Sequence, residues 1–474
     1  MPTSTDAEAQ QEQQPAAAQR EKQSGVHTSA GCKSDQRIIV MARCPEAGKA
    51  KTRLIPALGA AGAAELHSCL VLRTLVVVRR FAQQSGCDID VHFAGGSSHK
   101  MQRLFGDDLQ YSPQQGESLG ERIHHAISLA FTDGFRRVVV IGTDCPQLED
   151  SHLHNAFASL ADFDVTIGPA FDGGYYLIGM RAPTPELFED ISWGTETVLA
   201  ETSRNLQRAE KSVTLLTRLS DVDLPEDLIL CRQHPQEFAA ALPHTKIGLL
   251  SIIIPVLNEE AELPERLQPL TTLRHVEVII VDGGSTDATC RIAEEYGAKV
   301  IRCGKGRGRQ MNTGAAMARG EVLLFLHADT RLPPDFYSTV WQYVESRYSA
   351  GAFRLRIDDP RWTYRLVEFG ANLRSHWRQL PYGDQALFVR SEVFYEMNGF
   401  RTWPLLEDLD FAQRLRRRGR IMIASSSATV SARRWRRIGI LKATLINQIV
   451  IIAYRLGVSP SRLAALYNSD EGKH

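Results

Sequence analysis

The sequence of 474 residues predicts an α/β protein made of two tandem units, each with a mostly parallel sheet. Three observations predict it. Short runs such as Arg37–Met41, Arg137–Ile141, Leu249–Ile254 and Val276–Val281 are almost continuously Val, Ile and Leu, as strands covered on both faces must be. These runs alternate with helical stretches, the pattern of βαβ units. And the runs of the second half deliver acids or glycines just past their ends: Ile254-Pro-Val-Leu-Asn-Glu259, Val281-Asp-Gly-Gly-Ser-Thr-Asp287 and Leu326-His-Ala-Asp-Thr330, joined by Leu405-Leu-Glu-Asp-Leu-Asp410. Ligands of open α/β sheets bind at strand carboxyl ends. Four acidic clusters at one edge suit a metal, a nucleotide diphosphate and a base for group transfer.

Taken in order, the first half reads as strand 37–41, a turn rich in Gly and Lys, helix 60–81, strand 88–93 and strand 137–144, which ends in an acid. The second half reads as strand 249–254, strand 276–281, helix 287–296, strand 298–303, helix 309–319 and strand 322–326, again ending in an acid. His234, Pro235, Pro243 and His244 interrupt the periodicity between them. The expected division is a polar tail over 1–36, a domain over 37–235, a linker over 236–246 and a domain over 247–474. The tail lacks the apolar run of a signal peptide.

Lysines and arginines balance aspartates and glutamates at 55 each, so no global field recruits nucleic acid. Eight scattered cysteines form no C-x-x-C pair, which points away from a zinc ribbon and toward reduced thiols in a cytoplasmic protein. The nearest approach to a membrane segment is 438–454, broken by Lys442, Asn447 and Gln448 and preceded by Arg433-Arg-Trp-Arg-Arg437. It reads as an amphipathic helix packed on its own domain; contact with a membrane surface is the less favoured reading.

In the second half, Asn258 and Glu259 turn the chain where a base or ribose can be met. Asp282 precedes a glycine pair that allows close backbone approach, whereas Asp287 suits a helix cap. Cys303-Gly-Lys-Gly-Arg-Gly-Arg309 lacks the third glycine of a dinucleotide fingerprint, so Lys305, Arg307 and Arg309 read as phosphate-facing charge. Asp329 closes an apolar run, fitting a hard divalent cation shared with a diphosphate. His327 beside it reads as structural. Glu407-Asp408 offers a carboxylate to deprotonate an acceptor. These motifs, in this order over 247–470, resemble family 2 glycosyltransferases with the GT-A fold, making both halves Rossmann-like. The resemblance implies inverting transfer from a nucleotide-diphospho-sugar donor to a small-molecule acceptor, with Mg or Mn. It implies Asp408 with Glu407 for catalysis, Asp329 for the metal, and Pro255, Asn258, Glu259, Asp282, Arg309, Asp384, Gln385, Arg434 and Trp435 around the donor. The chain departs from the family at His327, where an acid is usual, and at Ser431–Trp435, where a Q-x-x-R-W box is usual.

In the first half, Pro45-Glu-Ala-Gly-Lys-Ala-Lys-Thr-Arg-Leu54 joins a tight turn at Gly48 to the charges of Lys49, Lys51 and Arg53, without Walker A spacing. Asp144 ends a buried strand, Gly173 and Gly174 form a pair beside a possible substrate, and Asp221-Val-Asp-Leu-Pro-Glu-Asp227 supplies further acids. This set resembles the nucleotidyltransferase-like family that includes molybdenum-cofactor and phospholactate guanylyltransferases. The resemblance implies triphosphate binding by Lys51 and Arg53, and Mg on Asp144 and Asp223, although the usual glycine-rich signature is missing. Both halves also resemble paired transferases found beside radical-SAM enzymes and linked to arsenosugar biosynthesis. The expected whole is a fusion glycosyltransferase whose first half forms or uses an activated nucleotide precursor. Two alternatives stand beside it: a membrane-associated enzyme with a lipid acceptor, and a first half that only binds.

Overall fold

The computed structural model describes residues 34–471, with the side chains of 434, 441 and 466–471 outside the description. The expected tail therefore lies almost wholly outside the described residues.

Two sheets form, as the alternation predicts. The first contains β1 (Gln36–Arg43), β2 (Asp88–Ala94), β3 (Gln110–Pro113), β4 (Arg137–Ile141), β5 (Val165–Pro169), β6 (Tyr175–Met180) and β7 (Val213–Leu215). Its order is β3-β2-β1-β4-β6-β5-β7, with β6 antiparallel to both neighbours and every other pairing parallel. The second contains β8 (Lys246–Val256), β9 (Val276–Asp282), β10 (Lys299–Arg302), β11 (Gly320–Phe325), β12 (Thr330–Arg331), β13 (Ala350–Ile357), β14 (Phe388–Arg390) and β15 (Ile421–Val430). Its order is β10-β9-β8-β11-β14-β13-β15-β12; β14 is an antiparallel insertion, and β12 pairs antiparallel with β15 at the edge. Position by position, the first seven strands of the second sheet repeat the first sheet. The halves thus share a topology that their sequences do not display.

Both faces of each sheet are covered, which explains the unbroken Val/Ile runs. Helix α1 (Ile55–Ser85) is kinked at Gly59, whose φ of 71° leaves the helical region, so regular helix starts at Ala60 as the periodicity predicts. By length and composition alone 52–85 is apolar enough to cross a membrane; the burial of Leu66, Leu70, Leu75, Val78 and Phe81 in the core accounts for that composition.

The segment expected to link the halves is packed rather than loose. Phe238 and Leu242 are buried with Leu54, Leu66 and helix α2 (Leu228–Cys231) against Ile253, Ile279 and Met311 of the second half, forming one core across both. Arg232 follows α2 and is buried. Its guanidinium donates to the carbonyl of Ala316 at 2.8 and 2.6 Å and to that of Ala318 at 2.9 Å, at the end of helix α3 (Arg307–Ala316). A cation there meets the negative end of the helix dipole.

At the far edge of the first sheet, Asp164 ties β7 to β5. It accepts from Ser212 N at 2.9 Å and Ser212 Oγ at 2.7 Å, and pairs with Arg181 at 2.8 Å. The Ser212 bonds, then Arg181, hold its carboxyl down at about 2. A depressed folded pKa gives stability that is complete above the unfolded value near 4 and lost as pH falls toward 2. Thermal midpoints measured at pH 5 and pH 3 should lie closer together in Asp164→Asn than in the wild type; an unchanged gap would show that Asp164 does not carry this linkage.

Candidate active site

In the second half, five segments bring their charges to one edge of the sheet. Asn258 and Glu259 follow β8, Asp282 ends β9, and His327 and Asp329 follow β11. Gly383 and Asp384 precede β14, and Glu407 and Asp408 open helix α5 (Glu407–Arg418). Pro255 lies within β8, in register with Val281, one residue before Asp282.

Asp282 is buried and accepts from Ser285 N at 2.9 Å, which shapes the Gly283–Gly284 turn. Asn258 sits in the left-handed region at φ 55°, and its Oδ1 accepts from Thr286 N at 2.9 Å. That side chain braces the two loops against each other. Asp287, expected to cap the following helix, stands one residue before the cap position, which Ala288 holds, and braces the helix start by accepting from Thr289 N at 3.0 Å. Gln310 fastens the ends of β8 and β9: its Nε2 donates to Val256 O at 2.9 Å and Val281 O at 2.8 Å. No sequence signal marked Gln310, because its role exists only once the two strands are adjacent.

Asp408 Oδ2 accepts from Gly383 N at 2.8 Å. A Cβ on Gly383 would stand 2.6 Å from His327 Nε2 and 3.3 Å from Asp408 Oδ2, so glycine is required for these three groups to meet. His327, expected to be structural, lies inside the site. Burial and then Arg307 push its pKa down, with Asp329 and Asp408 opposing, so it is neutral near pH 7. Asp384 is pushed up to about 6, first by burial; Arg374 opposes this, and Asp408 and Asp329 add to it. Its Oδ1 is buried without a hydrogen-bond partner. Glu407 lies buried behind Asp408, and burial and Asp408 push its pKa up against the pull of Arg307. Ala386 and Leu406, which flank the Gly383 and Asp408 loops, both take positive φ, at 47° and 68°. Such strain in non-glycine residues collects at ligand sites.

Three expected donor contacts change, and a fourth lies outside the described residues. Arg309 turns to the first half and pairs with Glu226 at 2.6 Å; Arg307, one position beyond Gly306, is the arginine that acts on His327 and Glu407. Gln385 is fully buried. Its Oε1 accepts from Ser375 Oγ at 2.6 Å and its Nε2 donates to Phe353 O at 2.9 Å, so it sets the loop and cannot reach a ligand. Trp435 packs beside Tyr364 in a small satellite core, with ring centroids 6.4 Å apart. The side chain of Arg434 lies outside the described residues. Its neighbour Arg433 pairs with Glu259 at 3.2 Å, and Ser431 N donates to Asp329 O at 3.0 Å, so this segment does close the edge.

In the first half, Lys51 Nζ lies 2.8 Å from Asp144 and 2.8 Å from Asp223, and Arg53 lies 3.8 Å from Asp223. The two acids expected to hold Mg do converge, but on an ammonium group. Burial works to strip the Lys51 proton, and the two carboxylates overcome it and hold its pKa up. Lys51 reaches this point from a left-handed backbone at φ 48°, and Gly48 makes the preceding turn at φ 81°. Asp144 and Asp223 separate two cavities. One, of about 420 Å³, is lined by Arg43, Lys49, Lys51, Arg53 and Arg122 with His67 and Gln114. The other, of about 300 Å³, is lined by Asp172, Gly174, Tyr175, Trp193 and Asp221. Gly174 N donates to Asp172 Oδ1 at 2.9 Å, whereas Gly173, at φ 92°, packs so tightly on Glu196 that a Cβ would stand 2.2 Å from its carbonyl oxygen. The sequence reading missed Arg43, Arg122 and Trp193, which stand alone in sequence and meet only through the fold.

Among the described residues, no three His, Cys, Asp or Glu side chains gather into a protein-only metal cage.

Residues 251–418 match the family described as glycosyl transferase family 2, and 77–195 match the family described as an uncharacterised protein conserved in bacteria, DUF2064. Over 168 residues the chain is 30% identical to an undecaprenyl-phosphate 4-deoxy-4-formamido-L-arabinose transferase of Pseudomonas aeruginosa, covering 32% of this chain and 50% of that one. The chain thus spans about half the length of the curated relatives it matches. A structure from Desulfovibrio desulfuricans G20, assigned as a nucleotide-diphospho-sugar transferase, is 35% identical; the match covers 43% of this chain and 88% of that one at a TM-score of 0.40. Glucosyl-3-phosphoglycerate synthase from Mycobacterium tuberculosis, in complex with Mn2+, uridine diphosphate and glucosyl-3-phosphoglycerate, is 19% identical over 45% of this chain and 81% of that one, with a TM-score of 0.33. The C-terminal half of this chain is a family 2 glycosyltransferase domain of the GT-A kind, joined to an N-terminal half that carries the DUF2064 region and the same strand order.

Proposed function

We propose that the C-terminal half transfers a sugar from a nucleoside-diphosphate donor by in-line displacement with inversion at the anomeric carbon. The observation that carries this reading is the meeting of Asp282, Asp329, Asp384 and Asp408 at one sheet edge, with Asp384 Oδ1 buried and unpartnered. Asp282, at the Gly283–Gly284 turn, takes the base or ribose. An orphaned carboxylate oxygen facing two further acids fits a hard cation, Mg or Mn, which Asp329 and Asp384 would hold, since such ions need only one or two protein carboxylates. When bound, that ion neutralises charge on the departing diphosphate. Asp408, aligned by Gly383 N–H, accepts the proton of the acceptor hydroxyl. The acceptor oxygen bonds to the anomeric carbon as the bond to the diphosphate breaks, and Arg307 adds positive charge beside the leaving group.

A second reading is favoured by the relatives whose names specify undecaprenyl phosphate: the acceptor is a lipid phosphate. A phosphate oxygen is already ionised near pH 7 and needs no base, so dependence on Asp408 separates the two acceptor classes. Small acceptors of the arsenosugar kind rest on the sequence resemblance alone. For the N-terminal half we infer a phosphate-bearing ligand in the basic cavity, with the Lys51 ammonium standing as the fixed cation between Asp144 and Asp223. Release of pyrophosphate from nucleoside triphosphates and sugar phosphates distinguishes a catalytic N-terminal half from one that only binds.

Calorimetry of the full chain with manganese and a panel of uridine, guanosine and thymidine diphospho-sugars tests the central claim. One donor should bind, and Asp329→Ala should weaken it at least tenfold. Absence of heat across the panel would overturn the donor reading.

A further inference from the structure

Two adjoining helices of the C-terminal half each leave an apolar stripe uncovered. In helix α4 (Trp362–Arg378), Trp362, Leu366, Phe369, Leu373 and Trp377 follow one another at steps of four, three, four and four, which places them on one face. They are 71, 61, 67, 44 and 79% exposed, while Tyr364 and Ser375 on the inner side are buried. Helices α6 (Arg433–Ile438) and α7 (Ile440–Arg455) follow β15. In α7 and its cap, Leu445, Ile449, Ile452 and Leu456 repeat the pattern at 55–80% exposure, with Ala443 and Val450 turned inward. The two helices touch.

The charge around these stripes is one-sided. Segment 361–378 carries four arginines against the single acid Glu368, and segment 433–456 carries six basic residues and no acid. Acids reach this rim from outside the two segments: Asp359 pairs with Arg361 and Arg436 at 2.9 Å each, and Glu259 pairs with Arg433. The whole chain is otherwise balanced at 55 charges of each sign.

We propose that this face docks on an anionic phospholipid surface, with both helices lying in the interface. Amphipathic helices that bind membranes combine a basic rim with Trp, Phe and Leu on the buried side. Tryptophan favours the headgroup level, and here Trp362 and Trp377 stand at the two ends of the stripe. A second copy of the chain would bring two positive faces together, which like-charge repulsion opposes; anionic lipid complements the same charge. The docked face backs onto the catalytic edge. Ser375 and Arg374 of α4 both hold Gln385 Oε1, at 2.6 and 3.3 Å, and Gln385 sets the Gly383–Asp384 loop. Docking therefore places the helix that buttresses the Gly383–Asp384 loop at the membrane.

Flotation of the full chain with vesicles tests this. It should rise with vesicles of phosphatidylglycerol and phosphatidylethanolamine, rise poorly with phosphatidylcholine alone, and lose at least tenfold in bound fraction at 0.5 M salt. The pair Phe369→Glu with Ile449→Glu should abolish flotation and leave the thermal midpoint and donor binding unchanged, because both side chains point outward. Equal flotation of this variant would overturn the proposal, as would failure of the wild type to float with anionic vesicles. A wild-type dimer that becomes monomeric in the variant, without flotation, would assign the face to a second copy and overturn it too. Failure of donor binding would leave these outcomes untouched, so the docking and transfer readings fail separately.

Discussion

Asp408→Asn should lower transfer to a hydroxyl acceptor by about 10²–10⁴-fold, the usual worth of a positioned general base, with little change in donor affinity. The expectation follows from geometry. Asp408 Oδ2 is held by Gly383 N–H at 2.8 Å, and asparagine fills the same space, but its neutral amide is far too weak a base to take the acceptor proton. Glu407 cannot substitute, because it is buried behind Asp408 and its raised pKa keeps it partly protonated near neutrality. Kinetics should therefore show kcat falling with KM nearly constant. Wild-type turnover by the variant on a hydroxyl acceptor would remove Asp408 from the role. Full turnover with a lipid phosphate alone would instead favour the second acceptor reading.

Arg232→Ala should destabilise the chain by about 3 kcal/mol or more, as expected when a buried charged donor is removed from carbonyls that then have no replacement. Arg232 satisfies the carbonyls of Ala316 and Ala318, inside the core that both halves share. The alanine variant leaves those oxygens and a cavity together. Arg232→Lys should recover only part of the loss, since one ammonium cannot reproduce the planar fork. Calorimetric unfolding checks this: the halves should melt together in the wild type and at lower temperature, or separately, in the variant. An unchanged melting profile would show that the shared core does not depend on Arg232.

The outcome for individual residues follows a physical division. Asp282, Asp329 and Asp408 stood out because each ends or follows an apolar run or opens a periodic helix, where acids are costly without a ligand or partner, whereas Asp384, in a polar loop before a strand, came from the family resemblance. The resemblance put Arg309, and not Arg307, at the donor, although the two have the same chemistry two positions apart. Only the docking of the N-terminal half shows that Glu226 captures Arg309 and leaves Arg307 facing His327. Gln385 was placed at the donor by the family resemblance; its burial among Ser375, Arg374 and Phe353 depends on a helix that lies elsewhere in sequence. Lys51 was read as a phosphate contact, and the fold gives it two carboxylates first.

Hydrophobic period and strand-end chemistry, both local properties, were enough to establish two α/β units with mostly parallel sheets and the edge where chemistry gathers. Strand order, the core that joins the halves, and the choice among like-charged neighbours came only with tertiary structure. They are set by pairings between residues distant in sequence, such as Arg433 with Glu259, 174 positions apart, whose energy no local window of sequence contains.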